Sequence, residues 1–333
     1  MRKWMTFLMA LMVGASSYTF AHGSIGLELG YRQDTVDLKH VYGDDLEIRQ
    51  HFHDLDIFQI GLKGKGNLGC NFYGRAEGTW GWVLDGDYNE KVAQFGSNSF
   101  NDGYGSYFGG SFQKTTDFED VIDDKYVFDA NVAVGYPFYF CDCTMSLAPT
   151  VGYAFDEQNL EVCRGDLDFV SGDEYGYGGD GFLAFEGSGC CEQKFINKWY
   201  GPFVGVDFEY RPCNECWNVF AELEFHWVHF KGKRHEAIHG IGGNNDFGQY
   251  RATHHGHGIV FNVGAEYDFC NCWTASLAVK FSDFRAHKNH GGSGSFFGSS
   301  DDYSSSESSF SGSGRGNYKW RSYAVNLLVG RGF

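Results

Sequence analysis

The cysteines are the residues whose spacing most plainly suggests chemistry, and the chain has ten of them. Seven fall where one run of alternating apolar and polar residues ends and the next begins: Cys70, Cys141, Cys143, Cys213, Cys216, Cys270 and Cys272. The other three lie in the polar stretch 158–195: Cys163, Cys190 and Cys191. Cys-x-Cys and Cys-x-x-Cys spacings occur both in disulfide frameworks and in metal sites.

Three kinds of chemistry are compatible with these spacings. A structural zinc site uses a closed set of four nitrogen and sulfur ligands, whereas these cysteines belong to separate segments. A disulfide within the chain needs Cα atoms within about 7 Å, which adjacent turns could reach and opposite turns could not. The pattern therefore favours intermolecular or mixed disulfides, then purely intramolecular ones, then a metal site. No residue is assigned to a metal, and no cofactor is predicted.

Charged residues recur at alternate positions of the same runs. The set comprises Arg75, Glu77, Asp129, Asp207, Glu222, Glu224, Glu266 and Lys280. If these positions line an aqueous lumen, the excess of carboxylates predicts a preference for cations. Buried charges are tolerated only when they are paired or hydrated, so ion pairs could instead block such a lumen.

Asp85 and Asp87 form a further candidate site. Two neighbouring carboxylates can share a proton and activate a water molecule, although an Asp-Gly-Asp sequence is also a favourable turn. Histidines cluster in "HFHDLD" (51–56) and "RATHHGHG" (251–258). We expect these histidines to be polar side chains of the lumen and the outer rim rather than a binding site.

The first residues predict export. A basic start is followed by an apolar run too short for a membrane helix and by small residues suited to cleavage after Ala21. This is the layout of a secretory signal peptide over 1–21, which leaves 22–333 as a single domain. In an exported, oxidising compartment, cysteines form disulfides more often than metal sites.

Period-two alternation dominates the chain after residue 23. The run "WNVFAELEFHW" (217–227), for example, has apolar residues on one face, with aromatics at its ends, and polar or charged residues on much of the other. Such runs are longer than the strands of soluble proteins. Together with export they indicate a transmembrane β-barrel whose apolar face meets lipid; a soluble β-sandwich is the alternative.

Ten such segments are predicted, near 24–39, 45–64, 71–84, 125–140, 144–157, 196–211, 217–231, 256–269, 273–286 and 318–333. Short connections alternate with long ones, and in bacterial barrels the short turns are periplasmic. The predicted fold is all-β: a ten-stranded antiparallel transmembrane β-barrel of a bacterial outer membrane, with short periplasmic turns and long extracellular loops. Seven cysteines then line the periplasmic rim, and the other three lie in an extracellular loop.

The predicted fold limits the partners. Ten strands leave a narrow lumen, since barrels of about eight strands are filled by side chains and wide channels need about sixteen. The net charge of −17 excludes nucleic acid, whose phosphates need clustered Lys and Arg. The expected partners are outer-membrane lipids, other cysteine-rich envelope proteins joined by disulfides, and small solutes or cations.

With its acidic, aromatic-rich strands and its cysteines on the periplasmic turns, the sequence resembles the cysteine-rich outer-membrane barrels of Protochlamydia and related environmental chlamydiae. The resemblance covers the whole mature chain and rests on layout rather than on a signature motif. Some of those proteins are regarded as porins, and chlamydial envelopes are stabilised by disulfide-cross-linked outer-membrane proteins. The resemblance thus implies a porin-like channel that is also a cross-linked structural protein.

A second resemblance is to the omptin proteases, which are also ten-stranded barrels. The segment "GRAEGTWGWVLDGDY" is similar to the omptin strand that ends in an Asp-x-Asp pair, here Asp85 and Asp87. Omptins add an Asp-x-His pair at the top of the seventh strand, where this sequence has Arg234 and Glu236. Without that histidine we expect no enzyme. Omptin-like proteolysis and adhesion through the Gly- and Ser-rich loops remain the alternatives.

Overall fold

The computed structural model describes residues 23–42, 46–69, 72–94, 112–118, 125–141, 144–164, 191–213, 215–238, 245–269, 272–287 and 315–332. Within these ranges the chain forms twelve β-strands: β1 (Gly23–Tyr42), β2 (Leu46–Gly69), β3 (Phe72–Gln94), β4 (Phe112–Phe118), β5 (Tyr126–Gly135), β6 (Phe138–Phe140), β7 (Met145–Arg164), β8 (Cys191–Tyr210), β9 (Trp217–Ile238), β10 (Asn245–Phe269), β11 (Trp273–His287) and β12 (Arg315–Gly332).

The strands close into an antiparallel barrel. Their order around the wall is β2, β1, β12, β11, β10, β9, β8, β7, β5 and β3, and a pairing between β2 and β3 completes the circle. The short β4 and β6 continue the line of β5, since β4 pairs with the outer part of β3 and β6 with the start of β7. The described residues therefore occupy ten strand positions, which confirms the predicted fold class.

Alternation along each strand produces the two faces of the wall. In β12 the side chains of Tyr323, Val325 and Leu327 are about half exposed, whereas those of Ala324 and Asn326 are buried. Outward-facing aromatics form two girdles, one with Tyr31, Phe58 and Trp82 and the other with Phe72, Trp217 and Trp273. An apolar band between aromatic girdles is the wall of a membrane barrel. Within the described part of the chain, no α-helix has the length and apolarity that a membrane crossing requires.

Several strands extend further than the sequence indicates, mostly at the end away from the short turns; β2 is an exception, because it runs to Gly69 at the short-turn end. The strand predicted over 71–84 runs to Gln94, and the strand predicted to start at 256 begins at Asn245. Beyond the girdle the outward residues become polar, so the apolar alternation fades although backbone pairing continues. The placement of Cys163 and Cys191 in an extracellular loop was wrong, because they lie at the ends of β7 and β8, where Cys163 pairs with Glu192 and Cys191 with Arg164.

A bulge near the outer end of β2 changes which residues face the lumen. Register shifts separate His53 from Asp56 and Asp56 from Ile57, and Asp54 has a φ of 52°, a conformation that Asp tolerates better than most residues. Phe52 and Leu55 are both fully buried inside, so the two residues between them lie on the outer side. The polar residues of "HFHDLD" therefore face outward, not into the lumen as expected.

Candidate functional site

Arg75 of β3 is the centre of the ionic network inside the barrel. Its Nε lies 3.1 Å from Asp207 Oδ2 and its Nη1 3.3 Å from Glu222 Oε2, while Nη2 donates to Glu224. The Arg75 side chain is almost fully buried. One cation thus holds three carboxylates from β8 and β9, on the other side of the lumen.

Two lysines extend this network. Lys63 of β2 donates to Glu222 Oε1 at 3.1 Å, and Lys280 of β11 donates to Glu77 Oε1 at 2.8 Å. Lys63 also lies 3.9 Å from Glu77. The sequence alone did not single out Lys63, because the bulge shifts the inward positions of β2 by one residue.

A second charged group lies further towards the extracellular end. Arg32 pairs with Asp34 at 2.6 Å and also bonds Asp129. Asp34, another residue that the sequence analysis did not single out, also accepts hydrogen bonds from Gln158 and Trp320 at 3.1 and 3.0 Å. These hydrogen bonds therefore join four strands, β1, β5, β7 and β12, across the lumen.

The periplasmic half of the lumen is a cavity. It has a volume of about 510 Å³ and is lined by charged residues from both sides of the barrel, among them Lys63, Glu77, Asp207, Glu222, Glu266 and Lys280. Glu266 lies near the short turns, where it accepts a hydrogen bond from Asn218 at 3.2 Å. The carboxylates and bases predicted to share the lumen therefore do meet there, and many of them are paired.

Apolar side chains fill the extracellular half of the lumen. The largest are Phe52, Tyr88, Phe195, Trp199, Phe230, Phe284, Tyr318 and Trp320, all buried. Their rings contact one another, with centroids 4.6 Å apart for Trp199 and Phe230 and 5.0 Å for Phe284 and Trp320. This aromatic plug separates the cavity from the extracellular end of the described barrel.

The two carboxylates of the protease alternative lie on the outer wall. Gly86, between Asp85 and Asp87, faces inward against Leu55, while Asp85 is exposed and Asp87 half-buried on the other side. Asp87 Oδ2 lies 3.3 Å from His53 Nδ1. Arg234, in the position where omptins have an Asp, instead points inward and bonds Glu90 at 3.3 Å. Arg234 and the Asp85/Asp87 pair are thus on opposite faces of the wall.

The cysteines of the short turns lie at one end of the barrel. Cys141, Cys213, Cys216 and Cys272 have free thiols and are exposed. Cys70, Cys143, Cys270 and Cys190 lie outside the described residues. The described turn cysteines are therefore accessible from the solvent at the end where the cavity opens.

The closed barrel, its apolar outer band and the cysteines on its short turns agree with the family that the sequence matches. The model of a family described as Protochlamydia outer membrane protein matches residues 26–333. The chain belongs to this family. Membership places this barrel in the bacterial outer membrane, as the sequence predicted, and no curated protein sequence matches the chain.

Solved structures of other outer-membrane proteins are similar to this chain. The outer membrane protease OmpT from Escherichia coli is similar, with a TM-score of 0.62 and 13% identity, over 95% of this chain and 99% of that one. The toluene transporter TodX of Pseudomonas putida has a TM-score of 0.33 and 12% identity, over 92% of this chain and 89% of that one. At 13% identity the likeness of this Protochlamydia-family barrel to OmpT concerns the fold alone.

Proposed function

We propose that this outer-membrane barrel is a structural protein of the envelope, joined to neighbouring proteins by disulfides through its short turns. The observation that supports this proposal is the group of four exposed free thiols at one end of a barrel whose extracellular half is closed by aromatic side chains. A protein with thiols on several turns can form disulfides with more than one neighbouring protein, and a cross-linked network requires at least two such bonds per molecule.

The spacing of the turns favours bonds between chains. Cys141, Cys213 and Cys272 belong to three successive hairpins of the wall. Neighbouring strands are about 4.8 Å apart, so successive hairpins are roughly 10 Å apart. That exceeds the Cα separation of about 7 Å that a disulfide allows. Cys213 and Cys216, in one turn, could pair with each other, and the other thiols would bond a partner by exchange with its disulfides.

Electrophoresis of native envelopes tests the proposal. Without reductant the protein should run as high-mass species that collapse to the monomer when a thiol reductant is added. Replacing Cys141, Cys213, Cys216 and Cys272 by Ser should remove most of these species. The matched control is Cys163→Ser, which changes a cysteine at the opposite end and should leave them in place. A monomer in both lanes for the wild-type protein would refute cross-linking.

Passage of small solutes is the second candidate function, and the cavity of about 510 Å³ with its many carboxylates favours it. The aromatic plug opposes free passage, so conduction would require movement of these rings. The preference for cations stays a prediction.

Recordings in planar bilayers test this second function. With the plug in place we expect no steady conductance from folded protein. The double variant Trp199→Ala, Phe284→Ala should give discrete steps that favour cations across a salt gradient, because it removes two rings from the plug. Trp227→Ala with Tyr323→Ala, which removes outward-facing rings, serves as the control and should stay silent. Steady steps from the wild-type protein would show that the plug opens unaided.

A further inference from the structure

Three metal-ligating side chains meet on the outer wall, away from the lumen and the cysteines. They are His53 and Asp54 of β2 and Asp87 of β3, and one ligand atom from each lies within 4.8 Å of the others. The side chains are partly to mostly exposed, at 29%, 69% and 44% respectively. Neither proposed function uses this cluster.

The bulge of β2 creates the cluster. In a regular strand, adjacent residues point to opposite faces, so His53 and Asp54 would be separated by the wall. The register shift after His53 and the φ of 52° at Asp54 place both on the outer side. Asp87 joins them because it is the cross-strand partner of His53.

The distances suit one small cation. His53 Nδ1 lies 3.3 Å from Asp54 Oδ2 and 3.3 Å from Asp87 Oδ2. Zinc binds imidazole nitrogen and carboxylate oxygen at about 2.0–2.1 Å, so two tetrahedral ligands are roughly 3.3–3.4 Å apart. The distance from the imidazole nitrogen to each carboxylate oxygen therefore equals the distance between two ligands of one zinc ion.

Two neighbouring amides support the ligands. The side-chain amide of Asn89 contacts His53 Nε2 at 2.9 Å, and Gln33 Nε2 donates to Asp54 Oδ1 at 3.2 Å. When Nδ1 of an imidazole binds a metal, Nε2 carries the proton and needs an acceptor. The amide oxygen of Asn89 supplies that acceptor after rotation of the amide, whose nitrogen and oxygen are assigned from hydrogen bonding.

The surrounding charge favours a cation. Asp56 and Asp85 are cross-strand partners two residues closer to the membrane than Asp54 and Asp87, so the ligands lie on an acidic part of the wall. Still closer to the membrane, the same two strands carry the outward-facing aromatics Phe58 and Trp82 of the girdle. The cluster therefore lies just outside the girdle. It is thus open to the medium, and three protein ligands leave a coordination position for water.

We propose that His53, Asp54 and Asp87 form a surface site for a divalent transition-metal ion, with zinc as the probe that fits its nitrogen and oxygen ligands. Magnesium and calcium prefer oxygen ligands alone, so the imidazole distinguishes this site from general attraction of cations to acidic side chains. Asn89 is a positioning residue that fixes the tautomer of His53.

Calorimetric titration of the refolded full chain with zinc tests the site, after the thiols have been blocked with N-ethylmaleimide so that cysteine does not compete. His53→Ala and Asp87→Asn should each weaken one zinc site at least about tenfold, the scale of losing a ligand or its support. Asn89→Leu should weaken it less, and Asn89→Asp, which keeps an oxygen acceptor for Nε2 of His53, should restore the affinity.

Matched controls lie beside the site. His51→Ala and Asp85→Asn remove an imidazole and a carboxylate that are not ligands, although the ring of His51 lies 5.1 Å from that of His53, and each should weaken zinc binding much less than His53→Ala does. Each variant is first shown to be folded by its heat-modifiable mobility in gels. Identical isotherms for wild type, His53→Ala and Asp87→Asn would overturn the proposal. So would an equal loss of zinc and magnesium binding in Asp85→Asn, which indicates attraction to the acidic surface alone.

Discussion

Arg75 is the cation that contacts three carboxylates inside the lumen. It lies between Asp207, Glu222 and Glu224, and no other described cation contacts all three. A buried carboxylate that loses its partner is strongly destabilising, because desolvation is no longer offset. The local geometry therefore makes Arg75 more important to the barrel than the surface arginines.

Arg75→Ala should lower the free energy of unfolding by about 3–5 kcal/mol. The control is Arg285→Ala, which breaks an exposed pair with Asp283 and should cost about 0–1 kcal/mol. Urea unfolding of the barrel in lipid vesicles, followed by tryptophan fluorescence, measures both. Equal stabilities for the two variants would mean that water or rearranged lysines replace Arg75.

At the scale of the element, β12 shows how position along a strand determines tolerance of charge. Leu327 lies in the outward apolar band, whereas Asn317 lies outward near the extracellular end of the same strand. The environment of each position, rather than the β-propensity of the residue, decides what it accepts.

Leu327→Arg should destabilise the barrel by about 2–4 kcal/mol, the cost of a charge at the bilayer midplane. Asn317→Arg should cost about 0–1 kcal/mol, since its side chain reaches the interface or water. The same unfolding measurement compares the two. A similar cost at both positions would contradict the assignment of the band to lipid.

At the scale of the whole molecule, the direction of the barrel in the membrane fixes what each end can do. β9 begins beside the cysteine turn at Trp217 and ends at Ile238, and a strand advances about 3.3 Å per residue. Its two ends therefore lie on opposite sides of a bilayer.

A membrane-impermeant maleimide should label Lys233→Cys on intact cells, in a background where all ten native cysteines are Ser. A variant that keeps only Cys213 and Cys216 should react only after the outer membrane has been permeabilised. The reverse pattern would invert the topology and place the free thiols outside the cell.

The sequence could predict the fold and much of the lumen. Alternation identified Arg75, Glu77, Glu222 and Glu224 as inward residues, because a period of two assigns every second side chain to one face. It missed Lys63 and misplaced His53, since a bulge that shifts the alternation has no sequence signature as plain as the alternation itself.

The sequence by itself determined that this chain is an all-β barrel of ten strands with cysteines on its short turns. These features can be read from the sequence because each membrane-spanning strand must pair its backbone groups and place apolar side chains towards the lipid, which produces an alternating pattern within the strand itself. Only the tertiary structure decided which charges meet, that rings close the extracellular half of the lumen, and that His53 lies beside Asp87. Arg75 and Glu224 are 149 residues apart, and contacts across a lumen depend on closure of the barrel rather than on any local pattern.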